Sequence, residues 1–386
     1  MNDKKLICPV QKKCGGCQML NLSYKQQLSA KMSQMISLMG KFCRVDEIHG
    51  MDDPTHYRNK MQSAFGVYRG KQINGMYQSS SHNIVQTSDC LLEDEMCGKV
   101  VEAAAKIIKE QKISVYDPRT GRGTIRHILV RRGKTSGEIM AVPVTSSPVF
   151  PQAKRFTEAL TKEIPEITTI VQCINDTDIF LWMGEKEKVL YGKGYIEDTL
   201  CGKKFRISPK SFYQINSVQT EYLYSKAIEF ASPTPDTVLL DAYCGIGTMG
   251  IIAADKAKTV IGVESNKDAV KDAITNAKIN GVKNIRFYCE DAGEMMRKIA
   301  DAGEHIDTVI TDPPRAGCSK EFLVSCCTLA PKRIVYVSCN PETLARDCAF
   351  LTKNGYTVKK VVPVDMFPFT SHVEAVVCLT KSAKTT

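Results

Sequence analysis

The last third of the chain limits its possible folds more than any other part. Beyond residue 236, short apolar runs rich in β-branched residues alternate with stretches of helical periodicity. The strand candidates are Thr237–Asp241, Thr259–Glu264, Ile285–Glu290, Ile306–Thr311 and Arg333–Ser338. Helical spacing fills 248–256, 267–280, 292–300, 319–328 and 341–353. Each helix returns the chain across the sheet, so successive strands run parallel and both sheet faces are covered. Two further strands, near 356–362 and 373–380, have Pro363 and Pro368 between them and no helix. They are expected to close the sheet as an antiparallel pair.

The first βα turn of this region reads Asp241-Ala242-Tyr243-Cys244-Gly245-Ile246-Gly247-Thr248-Met249-Gly250. Its glycines form G-x-G-x-x-G directly after a strand and at the start of a helix. That placement lets the backbone turn tightly and lets a ligand approach it closely. Glu264 ends the next strand, where a carboxylate accepts hydrogen bonds from both ribose hydroxyls. Asp291 follows the third strand, where an adenine edge would come, and Asp312 ends the fourth. A dinucleotide is the competing ligand. The carboxylates at this mouth suit a cationic cofactor, S-adenosylmethionine, better than a pyrophosphate. The expected fold class is α/β, a Rossmann-like class I methyltransferase domain preceded by an α+β part.

Residues 56–204 lack the βα alternation. Short strands such as Phe65–Tyr68, Ile125–Val130 and Ile139–Val144, with helices near 98–112 and 151–162, predict an α+β unit with antiparallel sheet. Helical spacing also covers 20–41. Gly192, Gly194 and Gly202 mark the passage to the C-terminal part. The expected organisation is 1–55, a cysteine-rich and helical segment; 56–204, a central RNA-binding unit; and 205–386, the methyltransferase domain. Charge divides in the same way. Residues 1–150 hold 22 Lys and Arg against 13 Asp and Glu, leaving 30 against 29 for the remainder. A basic N-terminal part points to a polyanionic partner. Arg119, Arg122, Arg126, His127, Arg131, Arg132 and Lys134 crowd one likely strand and are expected to meet phosphates. Tyr57-Arg58-Asn59-Lys60, Phe65 and Tyr68 add possible contacts to RNA. No apolar run approaches the roughly 18 residues of a membrane span, and no secretory h-region is seen. A cytoplasmic protein without membrane contact is expected.

Sixteen cysteines are many for such a chain. Most lie in apolar patterns, where a free thiol packs as a small hydrophobe. Two settings differ. Cys339 ends the fifth strand in Ser338-Cys339-Asn340-Pro341-Glu342-Thr343, and Asn340 or Thr343 is positioned to cap the next helix. A thiol near a helix N-terminus is expected to have a lowered pKa and so to be a better nucleophile. Near the N-terminus, Cys8, Cys14 and Cys17 form C-x5-C-G-G-C. Three thiolates this close hold a metal or an iron–sulfur cluster once a fourth ligand joins, and Cys90, Cys97 and Cys43 are candidates. Spacing alone leaves zinc and iron both open.

Several of these segments together resemble the RNA uracil-C5 methyltransferase family. They are Asp312-Pro313-Pro314-Arg315-Ala316-Gly317, Val337-Ser338-Cys339-Asn340-Pro341-Glu342-Thr343, Phe367-Pro368-Phe369-Thr370-Ser371-His372-Val373-Glu374 and Ser211-Phe212-Tyr213-Gln214-Ile215-Asn216. With the N-terminal cysteines, the resemblance spans nearly the whole chain in order. It implies Cys339 as nucleophile and Glu374 as base. It also implies Gln214, Tyr243, Glu264 and Asp312 as S-adenosylmethionine contacts, with Gly245 and Asp291 beside them. It further implies a 4Fe-4S cluster on Cys8, Cys14, Cys17 and Cys90. Family members with these cysteines commonly act on ribosomal RNA, so 23S rRNA is the expected substrate and transfer RNA the alternative. The expected type lacks the small β-barrel (TRAM) domain that many relatives carry before the first Cys. A non-catalytic RNA-binding or ribosome-assembly factor is the non-enzymatic alternative.

Overall fold

The computed structural model describes residues 6–78, 81, 83–87, 89–177 and 183–382. A single turn of helix, α1 (Gln11–Cys14), precedes the longer α2 (Tyr24–Met39). There follow β1 (Lys60–Tyr68), β2 (Lys71–Tyr77), β3 (Ile84–Val85), α3 (Glu95–Glu110), β4 (Ile125–Arg132), β5 (Ile139–Thr145), α4 (Ala153–Glu163), β6 (Ile167–Ile174) and β7 (Lys186–Tyr191). These seven strands form one sheet in the order β3-β2-β1-β4-β5-β6-β7. Neighbours are antiparallel except β5 and β6, which α4 joins as a parallel crossover. Arg69 and Gly70, both at positive φ, make the two-residue turn between β1 and β2. Such a turn matches the right-handed twist of the strands it joins.

The hairpin β8 (Ile196–Leu200) and β9 (Lys203–Ile207) leads into α5 (Ser217–Ala231). The second sheet is built from β10 (Val238–Ala242), β11 (Thr259–Glu264), β12 (Ile285–Cys289), β13 (Thr308–Thr311), β14 (Arg333–Ser338), β15 (Tyr356–Val364) and β16 (Glu374–Lys381). The helices between them are α6 (Thr248–Ala253), α7 (Lys267–Ile279), α8 (Ala292–Asp301), α9 (Lys320–Leu329) and α10 (Pro341–Lys353). The strand order is β12-β11-β10-β13-β14-β16-β15. The first five strands are parallel, and β16 runs antiparallel between β14 and β15. This is the α/β fold of class I methyltransferases. Strand order reverses between β10 and β13, and open sheets of this type bind ligands outside the carboxyl ends at such a point.

The two sheets share one core. Leu129, Met140, Val142 and Val171 of the first sheet pack in the same apolar cluster as Phe205, Leu223, Leu239 and Val376. The other face of the first sheet is sealed by α3 and α4 through Val100, Ile107, Phe156 and Leu160. Along the chain, the hairpin β8–β9 lies between the first sheet and the second. Among the described residues, no helix is long and apolar enough to cross a membrane.

Helix α2 starts at a capping box in which Ser23 and Gln26 satisfy each other's backbone N–H. Its Met35 and Met39 enter the core of the second sheet with Leu344, Val358 and Val361. The same helix buries Lys31, whose Nζ lies 2.6 Å from Asp365 Oδ1 and donates to the Phe367 carbonyl at 3.0 Å. Both side chains are almost fully withdrawn from water. Removing one partner strands the other charge, which costs about 3–5 kcal/mol. Lys31→Met is therefore expected to destabilise the protein by that amount in urea unfolding. Lys31→Met with Asp365→Leu is expected to recover most of it. Equal stability of wild type and Lys31→Met would show that the pair does not hold α2 in place.

Candidate active site

The carboxyl ends of β10, β11, β13 and β14 converge with the start of β16. Asp241, at the end of β10, is fully buried, and its Oδ2 accepts a hydrogen bond from Gly250 N at 2.7 Å. A Cβ at position 250 would lie 2.9 Å from that oxygen, so the third glycine of the loop has no substitute. Gly245 has φ +54, and no atom lies within 4 Å of where its Cβ would stand. The loop backbone is thus open on the side where a ligand would approach. Tyr243 also has positive φ (61°), a conformation that costs a non-glycine residue energy. Glu264 is held by Gly245 N (3.1 Å) and Asn266 N (2.8 Å). Asp291 sits at the end of β12, where it caps α8 through Gly293 N and Glu294 N.

Asp241 and Glu374 are buried and Asp312 is half-buried, and all three carboxyl groups have raised pKa values: about 7 for Asp241, about 7 for Asp312 and about 8 for Glu374. Burial is the main cause in each. Asp312 adds to the rise at Glu374 and at Asp241. Asp241 Oδ1 has no hydrogen-bond partner. A buried, unpartnered carboxyl oxygen beside an open loop suits a cationic ligand, so the residues present fit S-adenosylmethionine. Sequence reasoning missed Tyr224 of α5. Its hydroxyl interacts with Thr248 and Gln214, and burial followed by Asp312 and Glu374 raises its pKa. Its only sequence signal was a place on the buried face of an ordinary helix. Gln214 is fixed from behind, because its carbonyl accepts a hydrogen bond from Asn59 Nδ2 at 3.0 Å.

Cys339 is half-buried at the end of β14. Asn340, not Thr343, caps α10 through Glu342 N. The expected lowering of the thiol pKa is not found. Burial, then Glu374 and Asp312, push it up, and Arg315 pulls the other way. The helix terminus is outweighed because desolvation and facing carboxyls both disfavour a thiolate. A hollow of about 290 Å³ lies over the thiol, lined by Gln34, Arg315, Asn340, Ser371 and His372. Arg315 Nη2 donates to His372 Nδ1 at 2.7 Å, and burial followed by the Arg315 charge lowers the His372 pKa. The Cys339 thiol, the Glu374 carboxyl and the glycine-loop mouth are therefore adjacent, with a small open chamber on the outer side.

A family profile described as tRNA (Uracil-5-)-methyltransferase matches residues 154–382. The chain belongs to this family. An uncharacterized RNA methyltransferase of Oceanobacillus iheyensis is 44% identical, the match covering 95% of this chain and 81% of the relative. Another, from Caldanaerobacter subterraneus, is 42% identical, covering 96% and 83%. The crystal structure of Pyrococcus abyssi tRNA (uracil-54, C5)-methyltransferase with S-adenosyl-L-homocysteine superposes with a TM-score of 0.80 at 30% identity, covering 95% of this chain and 86% of that one. This chain is thus one of the S-adenosylmethionine-dependent RNA uracil-5 methyltransferases.

The four N-terminal cysteines of this methyltransferase are neighbours. Cys8, Cys17 and Cys90 pack around Leu20, Tyr24 and Leu92. Cys17 is pushed to about 11, first by burial, with Cys14 and Cys8 adding to the rise and Arg58 opposing it. Cys90 is pushed to about 12 by burial and Glu93. Among the described residues, no three His, Cys, Asp or Glu side chains are arranged to hold a metal ion. The donor chemistry suits a thiolate-ligated metal, but the sulfurs are not drawn together.

The basic strand is mostly internal. Strand β4 is buried on both faces, and its cations tie the fold together instead of facing outward. Arg126 donates to the carbonyls of Asn175 and Thr177. Arg131 donates to Ser211 O. Arg132 makes a two-pronged pair with Asp94, and Lys134 lies near the same carboxylate. Burial lowers the His127 pKa to about 3, which keeps the ring neutral. Arg119 pairs with Asp117 on the surface. Tyr57 and Phe65 are buried as well, whereas Tyr68 is exposed. Arg126, His127, Arg131 and Arg132 therefore do not form the expected outward row of phosphate contacts, whereas Arg119, Arg122 and Lys134 are exposed.

The three raised carboxyls set a pH dependence. Each holds a proton in the folded protein at pH values where the unfolded chain has lost it. Their stabilising contribution is complete below about pH 4 and is lost as pH rises through about 7 to 8. The melting temperature of the ligand-free protein is expected to fall between pH 5.5 and 8. A bound sulfonium favours the ionised carboxylates, so S-adenosylmethionine should release protons at pH 7. Calorimetry in buffers of different ionisation enthalpy reads this directly. Zero net release would mean that these carboxyls do not face the cofactor's charge.

Proposed function

We propose that this methyltransferase forms 5-methyluridine in 23S rRNA, with Cys339 as nucleophile and Glu374 as base. The observation that carries the reading is the half-buried Cys339 thiol, close enough to Glu374 and Asp312 to feel both charges and open to a chamber on its outer side. Carbon 5 of uracil is a poor nucleophile. The Cys339 thiol gives its proton to water in the open chamber, and the thiolate adds to carbon 6, pushing the ring's C5–C6 electron pair into an enolate whose carbon 5 is electron-rich. S-adenosylmethionine supplies a methyl group on a sulfonium. Glu374 then removes the carbon-5 proton, and the electron pair of that C–H bond reforms the ring double bond as the Cys339–C6 bond breaks. Arg315 supports the thiolate. Gln214, Tyr243, Gly245, Glu264, Asp291 and Asp312 form the cofactor side. The target base must leave its stack to enter the chamber.

The C-x5-C-G-G-C run and Cys90 support 23S rRNA, because family members with these cysteines commonly act on ribosomal RNA. Cys8, Cys17 and Cys90, from two chain segments in one apolar cluster, with Cys14 close enough to Cys17 to raise its pKa, support a 4Fe-4S site. Residues 56–204 form the central unit on this reading, and the reaction takes place in the cytoplasm. A second reading, transfer RNA as substrate, is favoured by the similarity to the Pyrococcus abyssi tRNA enzyme.

Four measurements test these assignments. Cys339→Ala is expected to abolish methyl transfer while leaving S-adenosylmethionine affinity nearly unchanged; normal turnover would remove Cys339 from the mechanism. Glu374→Gln should accumulate a covalent protein–RNA adduct and release it slowly. Its absence, with both ligands still bound, would remove Glu374 as the base. Mapping labelled methyl groups on unmodified 23S rRNA fragments and transfer RNA separates the two substrates. Anaerobically prepared protein should carry iron and acid-labile sulfide, both lost in Cys14→Ser, whereas zinc without sulfide would replace the cluster assignment.

A further inference from the structure

A second and larger hollow, of about 1340 Å³, lies on the first sheet. Small-molecule pockets fall within about 300–1,000 Å³, so this volume suits a length of polymer. Its walls are the tip of the β1–β2 hairpin, the β3 segment, the 116–119 turn and α1. Lys13, Arg69, Arg119 and Arg126 line it against one acid, Asp117. Arg119 already neutralises that acid. Lys13 is exposed and forms no ion pair among the described residues. Tyr68 and Val67 are about 60% exposed at the hairpin tip. The Arg69 guanidinium lies 5.3 Å from the Tyr68 ring centre; Arg126, 4.1 Å from the Tyr116 ring, is buried and already bonded to two carbonyls, so it belongs to the floor of the groove. Cations interleaved with aromatic rings in an open groove are the chemistry that holds a single-stranded nucleic acid, by phosphate neutralisation and base stacking.

The groove is also connected to the reaction chamber. Val10 and Lys13 form part of its wall. A few residues further along the same segment, Gln18 Oε1 accepts a hydrogen bond from Ser371 N, and Ser371 lines the hollow over Cys339. Residues 10–18 therefore run from one hollow to the other. We propose that this groove seats the single-stranded RNA flanking the target uridine. Tyr68 stacks on a base there, and Lys13 and Arg69 meet phosphates. The proposal rests on the reading of RNA uracil as the substrate, and it assigns the grip on the strand to residues remote from the chemistry.

The test uses the full chain and a short fluorescein-labelled single-stranded RNA, followed by anisotropy across a salt series. Tyr68→Ala is expected to weaken binding about tenfold, the size of one lost stacking contact. Lys13→Ala and Arg69→Ala are each expected to flatten the slope of log affinity against log salt by about one phosphate contact. All three side chains are exposed and none lines the glycine-loop mouth, so S-adenosylmethionine affinity should stay at the wild-type value. Wild-type affinity and salt slope in the triple variant would overturn the proposal, including in favour of an acidic protein segment as occupant. Failure of the wild type to bind the strand would overturn it too. Methyl transfer is scored separately: a wild type that binds the strand through these residues but methylates no RNA upholds the groove and removes the proposed reaction.

Discussion

Residues 365–373 belong to no helix or strand, yet the rest of the chain is arranged around them. Their buried backbone groups need partners, because an unpaired one costs as much as a lost hydrogen bond. Those partners come from distant parts of the chain. Gln219 donates to Asp365 O and Asn216 to Met366 O. Lys31 donates to Phe367 O and Tyr57 to Pro368 O. Met19 N donates to Phe369 O, and Gln27 Oε1 accepts from Phe369 N. The cysteine-rich segment, α2, the entry to β1 and the start of α5 thus meet on one loop. That loop delivers His372 to the chamber and Glu374 to the start of β16.

This explains how three carboxyl groups tolerate burial side by side. Asp241 and Asp312 end parallel strands, and Glu374 begins an antiparallel one, so all three point into the same crevice from a rigid sheet. Without a cation their raised pKa values keep them partly protonated near neutral pH, and burial holds Cys339 toward its thiol form. A cationic ligand in the mouth would shift all three toward the carboxylate. Arg315 is the positive group on the thiol's outer side, hydrogen-bonded to a neutral histidine.

The second sheet was legible because burial on both faces leaves a plain record. The strands 259–264 and 333–338 are largely apolar runs with matching observed bounds, and the positions of Glu264 and Cys339 at their ends followed from strand placement alone. The first sheet was harder to read. Strand β7 is largely polar at a sheet edge, and β3 spans two residues, so neither leaves a periodic pattern. Arg126, Arg131 and Arg132 looked like an outward row because charge normally marks a solvated face; here each reaches a carbonyl or carboxylate inside the fold. The Cys339 pKa was misjudged for a similar reason. The helix terminus is visible in sequence, but the two carboxyls facing the thiol come from Asp312 and Glu374, which only the sheet order brings beside it. Tyr224 gave no signal because a helical tyrosine on an apolar face looks like any core aromatic.

Strand β16 is the last to follow along the chain, yet it occupies an interior position of its sheet, between β14 and β15. Its first residue, Glu374, pairs with Val364 of β15, and the next, Ala375, pairs with Ser338 of β14. Glu374 is therefore clamped from both sides of the sheet, next to the strand end that carries Cys339. A carboxyl group on an edge strand would have one such ladder to hold it; this one has two.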